Sequence, residues 1–307
     1  MNSNNETNVV TGAFSYTGRY IAKRLLSMGE KVRTLTNHPS LDIEFEKQIE
    51  TFSLNFDNSQ QLVNSLKGAT TLYNTYWIRF EHGDVTFEKA IKNSKILINA
   101  AVTAGIERIV HISITNPDVN SPFPYFRGKA IVEKHIKNSG LNYLIIRPTV
   151  IFGGDLSTLI NNIAWILRRF PIFAIPGSGD YKLQPIYIED LVDLALNPDF
   201  KTNNLIIDAI GPEIFTYNDL VRTIASKIGR NVGFFHTKPE IALIFSNIIS
   251  YFVKDVLVTK DEIYGLMYNL LTSSNPPTGK YPLTKWLSEN AKSIGKSYIS
   301  EVKRHYR

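Results

Sequence analysis

The amino-acid sequence predicts an α/β fold, a doubly wound parallel sheet with a smaller, mostly helical C-terminal lobe. Two observations lead to this prediction. The stretch from Asn8 to Leu26 has the pattern of a strand, a tight turn and a helix. Strand-like and helix-like segments then alternate at the spacing of βαβ units up to Ser113, which favours parallel strands with right-handed crossovers. We assign residues 1–150, rejoined by about 184–210, to the sheet domain, and residues 151–183 and 211–307 to the lobe.

The first turn has the residues of an anion-binding site. The apolar run of the first strand stops before Gly12, and an apolar pattern of helical period begins after Gly18. Gly12 permits a tight turn and Gly18 lets the helix pack on the strand, while Ser15 stands where a middle glycine is usual. The unpaired N–H groups and the positive dipole end of such a helix can hold a pyrophosphate. The residues of this predicted dinucleotide-binding turn are Gly12, Phe14, Ser15, Tyr16, Thr17, Gly18 and Arg19.

The end of the second predicted strand, Lys31 to Thr36, bears on which dinucleotide is favoured. An acidic residue there would bind the ribose 2′-hydroxyl of NAD. The chain instead has Thr36, Asn37 and His38, which leave room for a 2′-phosphate, so NADP is favoured and NAD is the alternative. Arg19 is the nearest cation for that phosphate, although it is also interpreted as a surface residue of the first helical turn.

Two further strands, Ile49 to Leu54 and Ala69 to Asn74, are followed by helices, Ser59 to Leu66 and Val85 to Ala104. Loops at the carboxyl ends of parallel strands line the ligand crevice of a doubly wound sheet. Tyr76 and Trp77 follow the second of these strands, and this position favours a substrate-pocket wall over plain core packing. The loop residues predicted to contact the cofactor are Asn55, Phe56, Asn74 and Thr75.

The residues that can carry chemistry follow the fifth predicted strand, Arg108 to Ser113. Ser121 is predicted to cap a helix with Pro122 at its first position, which puts Tyr125 and Lys129 on one helix face. A tyrosine alone is a poor acid or base near pH 7 because its pKa is about 10. A nearby ammonium group stabilises the phenolate, and a serine hydroxyl can hold a substrate carbonyl against the phenol. Hydride transfer at a carbonyl or alcohol carbon needs this arrangement.

The predicted catalytic residues are therefore Ser113, Tyr125 and Lys129. A Tyr-x-x-x-Lys spacing is common on helix surfaces, and its position after a dinucleotide turn strengthens the hypothesis. Gly128 is costly inside a helix, which indicates that another group passes close to it. We interpret His111 as a core or sheet-face residue.

The second half of the chain has fewer motifs. Asn142 to Arg147 is a predicted strand, Pro171 to Asp180 a loop, and Asp190 the cap of a helix from Leu191 to Leu196. Leu205 to Ala209 has the pattern of a strand that rejoins the sheet. The other predicted helices are Asn161 to Arg169, Tyr217 to Ile228, Pro239 to Val253, Lys260 to Leu271 and Leu283 to Ala291.

Composition excludes several kinds of site. The 307 residues include no cysteine, so disulfides, thiolate nucleophiles and Cys-ligated zinc are excluded. The six histidines show no paired spacing, and we predict no metal site. A net charge of +6, spread along most of the chain, favours a solvated surface over nucleic-acid binding.

The N-terminus and one apolar segment bear on location and partners. The polar N-terminus lacks the apolar core of a signal peptide, so we expect a cytoplasmic protein. The apolar segment Ile241 to Val253 is too short to span about 30 Å of hydrocarbon and contains polar residues. We interpret it as a buried helix or a helix that meets a partner subunit, so a homodimer or a partner contact through the C-terminal helices is predicted.

The chain resembles an atypical or extended short-chain dehydrogenase/reductase of the NAD(P)-dependent epimerase/dehydratase type, which has a Rossmann-like sheet, over about residues 7–210. Within that family it is most similar to the branch of the complex I accessory subunit and the NmrA-like sensors. The residues that carry the resemblance are Thr11 to Gly18, Ser113, Tyr125 with Lys129, Arg147 to Gly153, and Ile186 to Leu191.

The resemblance implies a role for each catalytic residue. Tyr125 would be the acid/base, Lys129 would bind the nicotinamide ribose and lower the tyrosine pKa, and Ser113 would orient the substrate. Pro148 would lie beside the nicotinamide. We expect an NAD(P)-dependent oxidoreductase or epimerase/dehydratase, and the alternative is a dinucleotide-bound regulatory or assembly subunit, because some members of the branch have no known turnover. The residues expected to determine specificity for a small-molecule substrate are Tyr76, Trp77, Thr115, Asn116 and Phe152.

Overall fold

The computed structural model describes residues 6–38, 42–154, 157–200 and 204–305. The chain divides into two compact units. The first unit comprises Met1–Arg147 with Val192–Ile207, and the second comprises Pro148–Leu191 with Asp208–Arg307. The segment that returns to the first unit is therefore 192–207, where the sequence pattern predicts 184–210.

Strands and helices alternate through the first unit, and the second unit mixes helices with short strand pairs. The strands are β1 (Thr7–Thr11), β2 (Lys31–Leu35), β3 (Glu50–Phe52), β4 (Thr71–Asn74), β5 (Arg108–Ile112), β6 (Asn142–Pro148), β7 (Ile151–Phe152), β8 (Ile172–Pro176), β9 (Lys182–Leu183), β10 (Ile186–Tyr187), β11 (Leu205–Ala209), β12 (Phe215–Thr216) and β13 (Gly233–Thr237). The helices are α1 (Tyr16–Ser27), α2 (Ile43–Glu46), α3 (Ser59–Leu66), α4 (Phe87–Ala104), α5 (Pro124–Lys137), α6 (Thr158–Arg169), α7 (Ile188–Ala195), α8 (Tyr217–Lys227), α9 (Pro239–Val253), α10 (Lys260–Met267), α11 (Leu283–Asn290) and α12 (Glu301–His305).

Within the described ranges, seven strands form one sheet in the order β11-β6-β5-β4-β1-β2-β3. Parallel pairs join β1 to β2 and β4, β2 to β3, and β5 to β4 and β6. A parallel neighbour can be reached only by a crossover, and helices supply these crossovers between successive strands. The predicted α/β fold with a doubly wound parallel sheet is confirmed.

The central strands of the sheet are buried on both faces. Helices cover a parallel sheet on both faces, so its central strands bury alternate side chains in both directions. Val9 and Val10 are adjacent residues of β1, and neither is exposed to solvent. On one side, α4 packs between α3 and α5, and its residues Leu97 and Ile98 join the core cluster that includes Ile109 of β5.

The second unit has its own core. Its buried cluster gathers side chains from α6, α8 and α11 around Phe152 of β7. Parallel pairing joins β8 to β13, with Ile172 opposite Gly233, and short pairs join β7 to β10 and β9 to β12. The prediction of a loop over Pro171 to Asp180 is therefore wrong for residues 172–176. The two prolines and two glycines of this segment are typical of a loop. The short apolar strand between them is stabilised by pairing with β13, about sixty positions later.

Among the helix starts that differ from the sequence prediction, three concern predicted glycine or cap residues. Helix α1 begins at Tyr16, so Gly18 lies in its first turn. Helix α5 begins at Pro124 after the N-cap Phe123, because the hydroxyl of Ser121 accepts a hydrogen bond from the Phe123 amide and forms a local turn (3.2 Å). Helix α7 begins at Ile188, so Asp190 lies inside it rather than capping it.

Asp190 has a different structural role. Its carboxylate accepts hydrogen bonds from the backbone N–H groups of Lys280 (2.7 Å) and Tyr281 (2.8 Å). It therefore ties the segment that precedes α11 to α7 within the second unit. In the described part of the chain, no helix has the length and apolar character that crossing a membrane requires.

Candidate dinucleotide site

The predicted dinucleotide turn lies between β1 and α1. Gly12 has a φ of +63°, a left-handed conformation that glycine adopts without strain. The Ser15 amide (2.9 Å) and its hydroxyl (2.7 Å) both donate to the Gly12 carbonyl, which closes the turn. Ser15 is the N-cap of α1 but makes no side-chain cap hydrogen bond, and the first turn of α1 contains no acidic residue. The positive end of the helix therefore has no carboxylate of its own first turn beside it.

Gly18 allows this turn and the helix to touch. A Cβ atom at position 18 would lie 2.3 Å from the Gly12 carbonyl oxygen, so no side chain fits there. A glycine at this position permits the close helix–strand packing of a dinucleotide fold. Two other turn residues make aromatic contacts: Phe14 packs edge-on against Phe45 (6.1 Å between ring centroids), and Tyr16 packs in the same way against Tyr20 (5.9 Å).

Arg19 has an acidic partner that the sequence analysis missed. Its guanidinium donates to the Asp42 carboxylate at 3.1 Å. Asp42 is also the N-cap of α2 and accepts a hydrogen bond from the Phe45 amide. No acid occurs at the end of β2 itself, as predicted, but Asp42 follows a few residues later. The only signal was an Asp before a short helix, which alone indicates a cap and not an ion pair.

The ends of β2 and β3 are joined through Asn37. Its side-chain oxygen accepts hydrogen bonds from the Leu54 amide (2.9 Å) and the Ser53 hydroxyl (2.8 Å), and its amide donates to the Leu54 carbonyl (2.9 Å). The hydroxyl of Thr36 accepts from the His38 amide (3.1 Å). Asn37 therefore fixes the relative position of these two strand ends.

The next loop brings Asn55 and Phe56 toward the aromatic residue that follows β4. The side-chain oxygen of Asn55 accepts from the Asp57 amide (3.0 Å). The Phe56 ring lies 4.9 Å from the Tyr76 ring, centroid to centroid. The Tyr76 hydroxyl accepts a hydrogen bond from the side-chain amide of Asn93 (3.0 Å), and burial raises the pKa of Tyr76 despite that bond. Phe56 and Tyr76 thus pack against each other beyond the ends of β3 and β4.

The end of β4 is tied to the end of β1 beside the turn. The Thr75 amide donates to the Thr11 hydroxyl (2.8 Å), and the Thr75 hydroxyl donates to the Thr11 carbonyl (2.6 Å). The Asn74 side chain approaches the Thr11 hydroxyl and contacts His111 Nδ1 (3.1 Å). His111 is fully buried. Burial is the main cause that lowers its pKa, and the charge of Lys129 lowers it further. The prediction that His111 is a core residue is confirmed.

Tyr125 lies in an aromatic cluster on α5. Its ring meets the Trp77 ring (6.1 Å) and the Phe87 ring (6.0 Å), both edge-on. Trp77 also covers Gly128, where a Cβ atom would lie 2.9 Å from the indole. The close approach predicted at Gly128 is therefore confirmed, and Trp77 is the group that makes it.

Lys129 is one helical turn after Tyr125 and is 3% exposed. Its Nζ donates to the Ile112 carbonyl (2.7 Å) and lies 4.9 Å from the centre of the Trp77 ring. Burial lowers the pKa of Lys129 to about 7, while the nearby Glu133 carboxylate opposes that change. Trp77 thus contacts both Tyr125 and Lys129, and the Nε1 atom of its indole finds no hydrogen-bond partner among the described residues.

Ser113 follows Ile112 and belongs to a buried ionic group. Its hydroxyl donates to the Glu133 carboxylate at 2.6 Å. The same carboxylate binds the Arg147 guanidinium through two bonds, from Nε (2.9 Å) and Nη2 (2.6 Å). Glu133 is another residue that the sequence analysis missed. Its spacing of four from Lys129 on one helix indicates only a pair along that helix, not its bonds to Ser113 and Arg147.

Four further predicted residues lie at or beyond the ends of β5 and β6. Thr115 is buried, and Asn116 is exposed with a φ of +53°. Pro148 ends β6. Phe152 is completely buried in the core of the second unit, where its ring packs against Tyr187 (5.5 Å) and Trp286 (5.8 Å).

Comparison with known proteins finds a family match over residues 12–161 and relatives of low identity. A family model described as NAD(P)H-binding matches residues 12–161. The mitochondrial NADH dehydrogenase (ubiquinone) 1 alpha subcomplex subunit 9 of Dictyostelium discoideum is 25% identical over 242 residues, 70% of this chain and 62% of that protein. The photosystem II assembly factor Ycf39 of Cyanophora paradoxa is 25% identical over 233 residues, 73% of this chain and 69% of that protein. The match thus spans about three fifths of the length of the mitochondrial relative.

A solved structure has the same fold. The NADPH-dependent quinone oxidoreductase QOR2 from Escherichia coli, in complex with NADPH, matches with a TM-score of 0.72 at 17% identity, over 92% of this chain and 99% of that chain. The predicted resemblance is confirmed: residues 12–161 match an NAD(P)H-binding family, and the chain is similar to the complex I subunit and to Ycf39.

Proposed function

We propose that this protein is an NAD(P)-dependent oxidoreductase or epimerase/dehydratase of the short-chain dehydrogenase type, with Tyr125 as the acid/base. Its substrate would be a small molecule that gains or loses hydride at a carbonyl or alcohol carbon. NADP is the favoured cofactor and NAD the alternative, and the proposed location is cytoplasmic.

The chain's own residues fit a dinucleotide at the first turn. The left-handed Gly12 and the absence of room for a Cβ at Gly18 keep the backbone close to the start of α1. With no acid in its first turn, that helix end can accept the pyrophosphate. Arg19 is the cation that would meet a 2′-phosphate, although it now pairs with Asp42. When bound, the nicotinamide ring would donate or accept the hydride.

One observation carries the catalytic part of the proposal. Tyr125 and Lys129 lie one turn apart on α5 and contact the same indole, that of Trp77. The ammonium group donates to the carbonyl of Ile112, the residue before Ser113, so the three predicted catalytic residues belong to one region of the first unit. A cation near the phenol favours the phenolate, which is the form that accepts a proton from an alcohol.

The test is a turnover assay with NADPH and NADH on a panel of quinones, ketones and aldehydes, read at the nicotinamide absorbance. Tyr125→Phe should lower the turnover number by about 10²–10⁴-fold and leave dinucleotide affinity unchanged, because only proton transfer is lost. Tyr268→Phe is the matched control, since this tyrosine is exposed and lies in the second unit. Turnover that survives Tyr125→Phe would overturn the assignment.

A second candidate is a dinucleotide-bound regulatory or assembly subunit without turnover. The observation that favours it is that polar groups of the predicted catalytic set have partners inside the protein: the Ser113 hydroxyl donates to Glu133, and Lys129 donates to the Ile112 carbonyl. The two curated relatives, named as a complex I subunit and an assembly factor, support the same candidate. NADPH binding without oxidation across the whole panel, unchanged by Tyr125→Phe, would select this function over the enzyme.

A further inference from the structure

Helix α9 buries small side chains and exposes large apolar ones, the reverse of a helix that packs on a core. Among its buried residues are Ala242 and Ser246, which are small, whereas large apolar side chains point into solvent. Tyr251 and Phe252 are 82% and 77% exposed. The exposed large apolar residues of this α9 face are Ile241, Ile244, Phe245, Ile248, Tyr251 and Phe252.

The spacing of these residues makes one continuous stripe. They recur at intervals of three and four, so they share one side of the helix along about 17 Å, at 1.5 Å per residue. A contiguous exposed apolar surface of this kind marks an interaction site. We propose that the α9 face binds the surface of a membrane that contains anionic lipids, with the helix lying in the plane of the interface.

The charges around the stripe favour anionic headgroups. Lys238 precedes the helix and Lys254 follows it, and both are exposed. The acid next to Lys254, Asp255, is buried and accepts hydrogen bonds from the Tyr298 hydroxyl and the Glu301 amide. Lysines at both ends of an apolar helix face can extend to the headgroups while the apolar side chains enter the acyl boundary.

The same charges argue against a second copy of the chain as the occupant. The only charged residue inside α9 is Glu240, and its carboxylate already accepts a hydrogen bond from the Tyr264 hydroxyl of α10 (2.7 Å). A two-fold antiparallel pair of α9 helices would bring Lys238 of one copy near Lys254 of the other, and a parallel pair would bring identical lysines together. Anionic lipid avoids that repulsion, because its charge is opposite to that of both helix ends.

The residue types of the stripe also favour lipid over a protein. The two most exposed residues, Tyr251 and Phe252, are adjacent aromatics near the end of a helix, and aromatic rings of this kind are enriched where hydrocarbon meets headgroups. A protein partner would need a surface complementary to these side chains, whereas a fluid bilayer surface adapts to them. A helix of this length does not span about 30 Å of hydrocarbon, so it would lie on the surface.

The experiment is flotation of the purified full chain with vesicles of phosphatidylcholine alone and with phosphatidylcholine containing phosphatidylglycerol. We expect binding to the anionic vesicles. The double variant Ile248→Asn/Phe252→Asn should lower the bound fraction at least about tenfold, because it removes two large apolar side chains from the interface. The control Ile214→Asn/Tyr268→Asn, at residues 56% and 67% exposed outside α9, should bind as the unmodified protein does.

A second pair of variants tests the charges. Lys238→Gln/Lys254→Gln should weaken binding to anionic vesicles several-fold and leave any binding to neutral vesicles unchanged. Unchanged circular dichroism and NADPH affinity would show that each variant is folded. Failure to float with anionic vesicles, or equal flotation of the Ile248→Asn/Phe252→Asn variant, would overturn the proposal. So would a dimer in solution that this variant dissociates, because a second copy would then cover the α9 face.

Discussion

Arg19 and Asp42 form an ion pair at 3.1 Å beside the predicted 2′-phosphate position. The arginine lies in the first turn of α1 and the carboxylate caps α2. Both side chains are partly exposed, so the pair itself adds little to stability. Its consequence is for binding, because a 2′-phosphate would have to share Arg19 with a carboxylate or displace it.

The first prediction concerns this carboxylate. Asp42→Asn should raise the affinity for NADPH by up to about fivefold and leave the affinity for NADH nearly unchanged, because it removes one negative charge near the phosphate. Asparagine can still cap α2, so the fold is retained. Isothermal titration calorimetry with NADPH and with NADH measures the ratio of the two affinities.

A matched control uses another ion pair of the same helix. Arg24 of α1 pairs with Asp193 at 2.5 Å, and Asp193→Asn should leave both affinities unchanged. Arg19→Ala should lower NADPH affinity specifically. An NADPH-to-NADH affinity ratio that Asp42→Asn does not move would contradict a 2′-phosphate site at Arg19.

The second prediction concerns Gly18. Gly18→Ala puts a methyl group 2.3 Å from the Gly12 carbonyl oxygen, and both atoms belong to backbone-fixed positions. We expect a loss of about 1–3 kcal/mol in the free energy of unfolding and a strong loss of dinucleotide affinity, because the turn must open to admit the methyl group. Urea unfolding and NADPH titration check the two effects.

The control for this substitution is Gly233→Ala in β13, where a Cβ atom would have only ordinary contacts, the nearest at 3.6 Å. That variant should keep its dinucleotide affinity. If Gly18→Ala binds NADPH as well as Gly233→Ala does, close packing of α1 on the turn is not needed for binding.

The sequence predicted the parts of the fold that local patterns determine. The ranges of α3, α9 and β11 were predicted to the residue, since each has a clear apolar period and a cap or a turn at its ends. Strands β8 and β13 were missed because each is short and its pairing partner lies about sixty positions away in the chain. The prolines and glycines around β8 also indicate a loop. The start of α5 was misplaced because Ser121 forms a turn with Phe123 instead of a helix cap.

The same contrast holds for the candidate site. The glycines at 12 and 18 were predictable because their conformation or close contact leaves no other choice. Asp42 and Glu133 were not, because their roles depend on Arg19 and Arg147, which come from other elements. Long-range pairs of this kind leave no periodic signal in a single sequence.

The third prediction concerns Glu133, which is 2% exposed in its side chain and binds Arg147 through two hydrogen bonds. Glu133→Gln should lower the free energy of unfolding by about 2–3 kcal/mol. Removing one partner of a buried pair costs about 3–5 kcal/mol, and the partial exposure of Arg147 reduces that cost. Urea unfolding at pH 7 is the measurement.

The exposed pair Glu44 with Lys47 supplies the control, and Glu44→Gln should change stability by less than about 0.5 kcal/mol. Equal effects of the two substitutions would mean that the buried group contributes no more than a surface pair.

The last prediction is a pH dependence of stability that arises from Lys129. Burial lowers its pKa to about 7, whereas a lysine in an unfolded chain has a pKa of about 10.4. Between these values the unfolded chain binds more protons, so stability rises with pH as the penalty for the buried ammonium group disappears. Lys129→Met lacks that group, and its stability relative to the unmodified protein should fall by up to about 4 kcal/mol between about pH 6 and pH 10. Urea unfolding of both proteins across this range measures the difference, with the exposed Lys47→Met as a control whose effect stays constant. A difference that does not change with pH would mean that Lys129 remains charged in the folded protein, held by Glu133, the Ile112 carbonyl and the Trp77 ring.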